Sequence, residues 1–265
     1  MKMIGFLLFA QISLLALLVS CGKVILESPA PDGASFLNAT PTHYFQITQR
    51  VVVEVFYEAG AEPFTGTTVN GMPYWNILED NLKALFQYRS TKPSLVIPKL
   101  ITEMTAIPSQ NKTTWTPEEI LALNTTYKKG NSTESEAHFY IYFLKGNAKD
   151  SNNIIAFSIN GTPVIGVFKN VITSSGGPLV QKYVEQSTLV HEMGHALGLV
   201  NNGIPMKNPH QDVDHGSHTT NTNCVMYWQN EGMTNLISFV QKFISTNSTV
   251  MWGPEVLLDV QNFSK

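Results

Sequence analysis

Apolar positions along the chain follow two periods. Residues 50–57 (RVVVEVFY) form an almost unbroken β-branched and aromatic run, which predicts a buried strand. Residues 138–144 (HFYIYFL), 153–159 (NIIAFSI) and 163–171 (PVIGVFKNV) predict three more, the last bounded by Asn160-Gly161 and a Ser-Gly-Pro cluster at 174–178. Residues 94–101 suggest a further strand, limited by Pro98 to an edge or a break. Residues 74–88 instead put Ile77, Leu78, Leu82, Leu85 and Phe86 on one helical stripe. Thr116-Pro117-Glu118-Glu119 has the form of a helix start: an N-cap threonine, a first-position proline and acids in the first turn. A long helix is expected over 179–199, and shorter ones over 234–244 and 254–260. Strands with interleaved helices, closing on helices, predict an α+β domain.

The chain has 265 residues, 43% hydrophobic and 14% charged, enough for one large domain or two lobes sharing a cleft. A net charge of -3 without a run of like charge argues against nucleic-acid binding through a basic stripe. Residues 21–45 carry Pro29, Pro31, Asp32-Gly33 and Pro41 with little periodicity and are read as a tether. The folded domain is expected over 46–265, with an N-terminal lobe to about 198 and a small, mostly irregular and helical C-terminal lobe over 199–265. The stretch of about 25 residues after the long helix lacks periodicity, and such a loop inside a compact domain is usually functional.

Five of the seven histidines (His191, His195, His210, His215 and His218) fall within 28 residues. His191-Glu192-Met193-Gly194-His195 is an HExxH pattern on the expected long helix. Residues i and i+4 share a helix face, so both imidazoles can reach one ion, while Glu192 can reach a water bound to it. Zinc suits neutral imidazole, lowers the pKa of its water to about 7, and leaves Glu192 as the proton acceptor. Gly198 lies seven residues after His191, where a left-handed turn would release the chain from the helix. Three residues further on stands Asn201, a weak donor beside two imidazoles. The third ligand must come later, from His210, Asp212, Asp214, His215 or His218.

Residues 191–198 resemble the start of the metzincin signature. His218-Thr219, then Cys224-Val225-Met226, is similar to the segment that completes it in archaemetzincins. The resemblance covers about 40 residues, 188–228. It implies that His218 is the third zinc ligand and that Met226 forms the floor of a Met-turn without touching the metal. It also implies a metzincin-like fold, with a mixed β-sheet, a backing helix and the active-site helix in the N-terminal lobe. An edge strand above the cleft would pair with substrate, and residues 163–171 are its candidate. The chain departs from the pattern in three ways. About 17 extra residues separate Gly198 from His218, Thr219 replaces the first family cysteine, and no later Cys-x-x-Cys exists. A second, four-cysteine zinc site is therefore not expected, and Cys224 becomes a buried relic. A second cation in the 205–217 loop remains an open alternative. Tyr227 follows Met226 directly, one position short of where metzincins place an oxyanion-stabilising tyrosine.

These readings converge on a zinc metallopeptidase, monomeric, with a peptide or protein substrate and no nucleic-acid partner. His191, His195 and His218 would hold Zn2+, and Glu192 would be catalytic. The alternative is a surface-anchored binding or adhesion lipoprotein with a structural or vestigial zinc site. A cell-wall amidase is a third possibility that the residues do not separate from a peptidase.

The N-terminus reads Met1-Lys2, an apolar stretch to Val19, then Ser20-Cys21-Gly22. A basic start and a short apolar core form an export signal over 1–20, too short to favour a spanning anchor. Leu18-Val19-Ser20-Cys21 resembles the bacterial lipobox, which implies lipid on Cys21 and attachment to the cell envelope. Gly22, not aspartate, follows, so the outer membrane is expected if the cell has one. Lipid on Cys21 would leave Cys224 without an intrachain partner. Stable anchoring takes two acyl signals where one is marginal. Metabolic labelling with a fatty-acid analogue should mark the wild type; equal labelling of Cys21→Ala would reject the lipoprotein expectation.

Overall fold

The computed structural model describes residues 23–24, 39–246 and 248–265. The expected signal peptide, Cys21 and most of the tether lie outside the described residues. Among the described residues, no helix is long and apolar enough to cross a membrane.

In chain order the strands are β1 (Lys23–Val24), β2 (Arg50–Glu58), β3 (Ser94–Val96), β4 (Thr105–Ile107), β5 (Thr114–Trp115), β6 (Glu136–Leu144), β7 (Asn147–Ala148), β8 (Ala156–Ile159) and β9 (Val164–Phe168). The helices are α1 (Asn76–Phe86), α2 (Pro117–Tyr127), α3 (Lys169–Thr173), α4 (Pro178–Ala196), α5 (Met233–Thr246) and α6 (Pro254–Phe263). One mixed, mainly parallel sheet runs β1-β8-β9-β6-β2-β3, with β4 also paired to β2. β5 and β7 form a separate two-stranded ribbon.

Continuous apolar runs become the centre of the sheet because both faces are covered. In β6, Tyr142 donates its hydroxyl to Asn124 Oδ1 on α2 at 3.2 Å. The next residue, Phe143, meets Trp75 at the start of α1 on the opposite face. α2 starts as expected: Glu119 N–H donates to Thr116 Oγ1, and Thr116 N–H to the Glu119 carboxylate. β3 stops just before Pro98, consistent with a proline-limited edge. The three-residue β4 and the ribbon are too short to impose a period on the sequence and were not anticipated.

Packing begins ahead of the expected boundary at residue 46. A π-helical turn over His43–Ile47 buries Tyr44 and Phe45, and the Phe45 ring lies 5.2 Å from Phe86. The expected edge strand also needs correction. Residues 163–171 are not the edge: β9 sits between β6 and β8, and 169–171 belong to α3. The cause is a tight turn at Asn160-Gly161, where Gly161 adopts φ 71° and Thr162 N–H donates to Ile159 O. It folds β8 back antiparallel on β9 and moves β8 outward. Among the described residues, β1 lies beyond β8, paired over two residues.

A buried ion pair ties α4 to the start of α3, at the end of β9. Lys169 Nζ contacts Glu185 Oε2, Glu185 Oε1 accepts from Phe64 N–H at 2.7 Å, and the Lys169 ammonium lies over the Phe64 ring. Burial pushes the Glu185 carboxyl up to about 7 against the pull of Lys169, and it lowers Lys169. Removing one partner strands the other in an apolar site. Glu185→Ala should therefore cost about 3–5 kcal/mol in denaturant unfolding, whereas replacing both residues by apolar ones should cost much less. Equal losses for the single and double variants would contradict this account.

Candidate metal centre

α4 opens with Gly177 as N-cap and Pro178 at its first position, and from Tyr183 to His195 it is buried throughout. His191 and His195 project from the same face, one turn apart. At its C-terminus, Gly198 N–H donates to His195 O, and Gly198 takes φ 84°. A Cβ there would stand 2.6 Å from Pro41 Cγ and 2.7 Å from Asn202 O, so only glycine fits. Val200 and Asn201 follow at positive φ, completing the turn out of the helix. Asn201 is exposed, and its amide donates to Gln211 Oε1.

The long loop then doubles back on itself. Gln211 pairs with Thr219 in an antiparallel bridge, Asp212 N–H donates to His218 O at 2.7 Å, and Thr220 N–H donates to His210 O at 2.9 Å. This small hairpin returns His218, fully buried, to the two helix histidines. The Nε2 atoms of His191, His195 and His218 lie 3.1, 3.2 and 3.3 Å apart. Ligands about 2.0–2.1 Å from a tetrahedral zinc would stand roughly 3.3–3.4 Å apart, so the spacing fits one ion. Two tautomers are set by outer bonds: His191 Nδ1–H donates to Val225 O at 2.7 Å, and His218 Nδ1–H to His215 O at 2.5 Å. Their Nε2 lone pairs therefore face the common centre.

A fourth group joins them. Glu231 Oε1 lies 2.8 Å from His218 Nε2 and 3.6 Å from His191 Nε2, and the four residues form the one such cluster among the described residues. Burial pushes the Glu231 carboxyl up, but His191 and His218 outweigh it and hold the group below the usual range. Four acceptors facing one buried point require a cation, either a metal or protons on the imidazoles. The donor set fits zinc. Nothing in the sequence singled out Glu231: five residues past Met226, it reaches the centre only through the 3-10 turn at Trp228–Glu231.

Glu192 is also buried, and its Oε2 accepts from Ser158 N–H of β8 at 2.8 Å. It lines a small cavity with His191, Glu231, Thr188 and Ala156. Burial pushes its carboxyl up to about 8; His191 and the Ser158 N–H lower it, and Glu231 raises it. Below the histidines, Thr219 N–H donates to Met226 O, and Tyr227 N–H to Cys224 O, forming a tight turn. Met226 is fully buried, and a Cβ at Gly194 would lie 2.5 Å from its sulfur. Cys224 is a free, buried thiol that accepts from Gly253 N–H, and burial pushes it up to about 12.

The other sequence candidates go elsewhere. His210 Nε2 lies 2.7 Å from Asp259 and its Nδ1 3.1 Å from Thr219 Oγ1. His215 stacks on Trp228 at 3.8 Å and pairs with Asp212, while Asp214 is exposed.

No family profile and no curated protein matches the chain. Among solved structures it is similar to a zinc-dependent peptidase from Methanocorpusculum labreanum (strain Z), at 10% identity and a TM-score of 0.39, over 78% of this chain and 99% of that one. The functional reading therefore rests on the site itself.

Zinc titration of two variants tests the ligand geometry. His218→Ala should lose zinc affinity sharply, Asn201→Ala should keep it, and the wild type should saturate at one ion per chain. The opposite order, or two tight ions, would require a different ligand set.

Proposed function

We propose that this protein is a zinc-dependent peptidase, with His191, His195 and His218 as metal ligands and Glu192 as the general base. The observation that carries the reading is the buried convergence of three imidazole Nε2 atoms beside a carboxylate fixed by a backbone N–H. A structural zinc site has no need of such a neighbouring carboxylate.

Bound zinc would supply a Lewis acid for the carbonyl oxygen and an acidified water. The rest falls to the chain. Ser158 N–H orients the Glu192 carboxylate, which takes a proton from the attacking water and passes it to the leaving amine nitrogen. The outer edge of β8 already accepts an extended chain, Lys23–Val24, in backbone register. A peptide substrate would use that edge in the same way, by strand addition. Glycine turn, returning histidine and methionine turn in this order support a closer relation to the metzincins. The same reading places the enzyme outside the cell on a lipid at Cys21, supported by residues 18–21 alone.

One observation favours a second reading. Glu231 as a permanent fourth ligand would close the site, as structural zinc sites are closed. The protein would then be a surface-anchored binding or adhesion lipoprotein. Incubating the zinc-loaded chain with a broad peptide library separates the two. Cleavage that falls by about 10²–10⁴-fold in Glu192→Ala, with zinc still bound, supports the peptidase. No cleavage by the wild type, or equal cleavage by the variant, rejects it.

A further inference from the structure

A peptidase needs one metal position open to water and substrate, yet four donors face the centre here. The groups around the centre are not held alike. His191 and His218 are each fixed from behind by a backbone carbonyl. Glu192 is fixed by a backbone N–H. Glu231 Oε1 faces the imidazole nitrogens of His218 and His191, and among the described residues no backbone N–H donates to its carboxylate. Ligating carboxylates are ordinarily hydrogen-bonded from the outer shell, which holds them in place when the metal's other ligands change.

The position of Glu231 in the chain points the same way. It ends a four-residue 3-10 turn and is followed by Gly232, so it stands on neither a strand nor a long helix. It also lines two spaces at once. One is the small cavity it shares with His191 and Glu192. The other is a cavity of about 790 Å3, lined among others by Asn152, Asn170, Ser174, Trp228, Met233 and Asn235. Glu231 is the residue that the two linings share. Apart from Glu231, no charged side chain lines the larger cavity. A carboxylate swung into it would find neutral amides to accept from and no cation to hold it permanently.

We infer that Glu231 is the fourth ligand of the resting metal and a displaceable shutter, which leaves for the larger cavity when substrate takes the fourth position. This rests on the zinc-site reading above. The resting protein then binds metal tightly but exposes an open position only part of the time. A small metal-binding anion must compete with the carboxylate, so its apparent affinity is reduced by the open fraction.

The test uses the full chain loaded with cobalt(II), whose visible absorption reports coordination number and donor type, and acetohydroxamate as the probe. Wild-type protein should give a four-coordinate spectrum before the probe is added. Glu231→Gln and Glu231→Ala should each change that spectrum. Both should bind acetohydroxamate on the order of 10-fold or more tightly than the wild type, because no carboxylate competes. Two results overturn the inference. In the first, spectra and probe affinity are identical in the wild type and both variants, so Glu231 is not a ligand. In the second, the variants lose cobalt outright and the wild type does not respond to the probe, so Glu231 is a permanent ligand. Peptide hydrolysis is scored separately. Glu192-dependent cleavage with a Glu231-insensitive spectrum would sink the shutter and keep the peptidase. The predicted spectral behaviour without cleavage would do the reverse.

Discussion

Everything in the C-terminal half of this chain follows from one constraint: four lone-pair donors are held around a single buried point. Without a cation, the imidazoles of His191 and His218 and the Glu231 carboxylate would oppose one another at 2.8–3.6 Å in a largely buried site. Such an arrangement is costly to assemble and becomes favourable when an ion binds, so metal binding and local folding are coupled. The surrounding shell limits that cost. Val225 O and His215 O fix two tautomers, and Met226 packs beneath Gly194, where no side chain leaves room to spare.

The long loop after Gly198 becomes intelligible in the same terms. Extending the connection between Gly198 and His218 costs little closure entropy, on the order of 1–2 kcal/mol, provided the returning end is well fixed. It is fixed by a backbone hairpin over 210–220, by His210 against Asp259 of α6, and by His215 against Trp228. Two of the histidines that looked like rival ligands thus hold the loop that returns His218 to His191 and His195. Their chemistry suits a metal, but their outer partners take the ring nitrogens first.

What the sequence made legible was whatever a period or a fixed spacing encodes. The strands β2 and β6 are continuous apolar runs, α2 carries its own capping box, and the i, i+4 histidines require only a helix. The α+β expectation agrees with the mixed, mainly parallel sheet. The edge of that sheet was misjudged because both 153–159 and 163–171 are apolar enough for either position. Their order is decided by the Asn160-Gly161 turn and by pairing with β6, which no single-strand pattern contains. Glu231 was missed for a related reason. Its place depends on the direction taken by a short 3-10 turn after Tyr227, and one glutamate among ordinary surface residues gives no signal of that.

The two carboxylates beside the histidines illustrate how role follows from partner rather than residue type. Glu192 and Glu231 line the same small cavity, Glu192 buried and Glu231 half-buried. Glu192 is bonded to Ser158 N–H, a group of the sheet, so its place is set by the fold whether or not a metal or substrate is bound. That fixity suits a proton carrier, which must meet the attacking water and then the leaving nitrogen without reorienting. Glu231 faces the imidazole nitrogens, and among the described residues no backbone N–H donates to its carboxylate. On the proposed reading, a carboxylate without such a backbone tie is the one that a competing ligand can move, and the neighbouring cavity supplies the room.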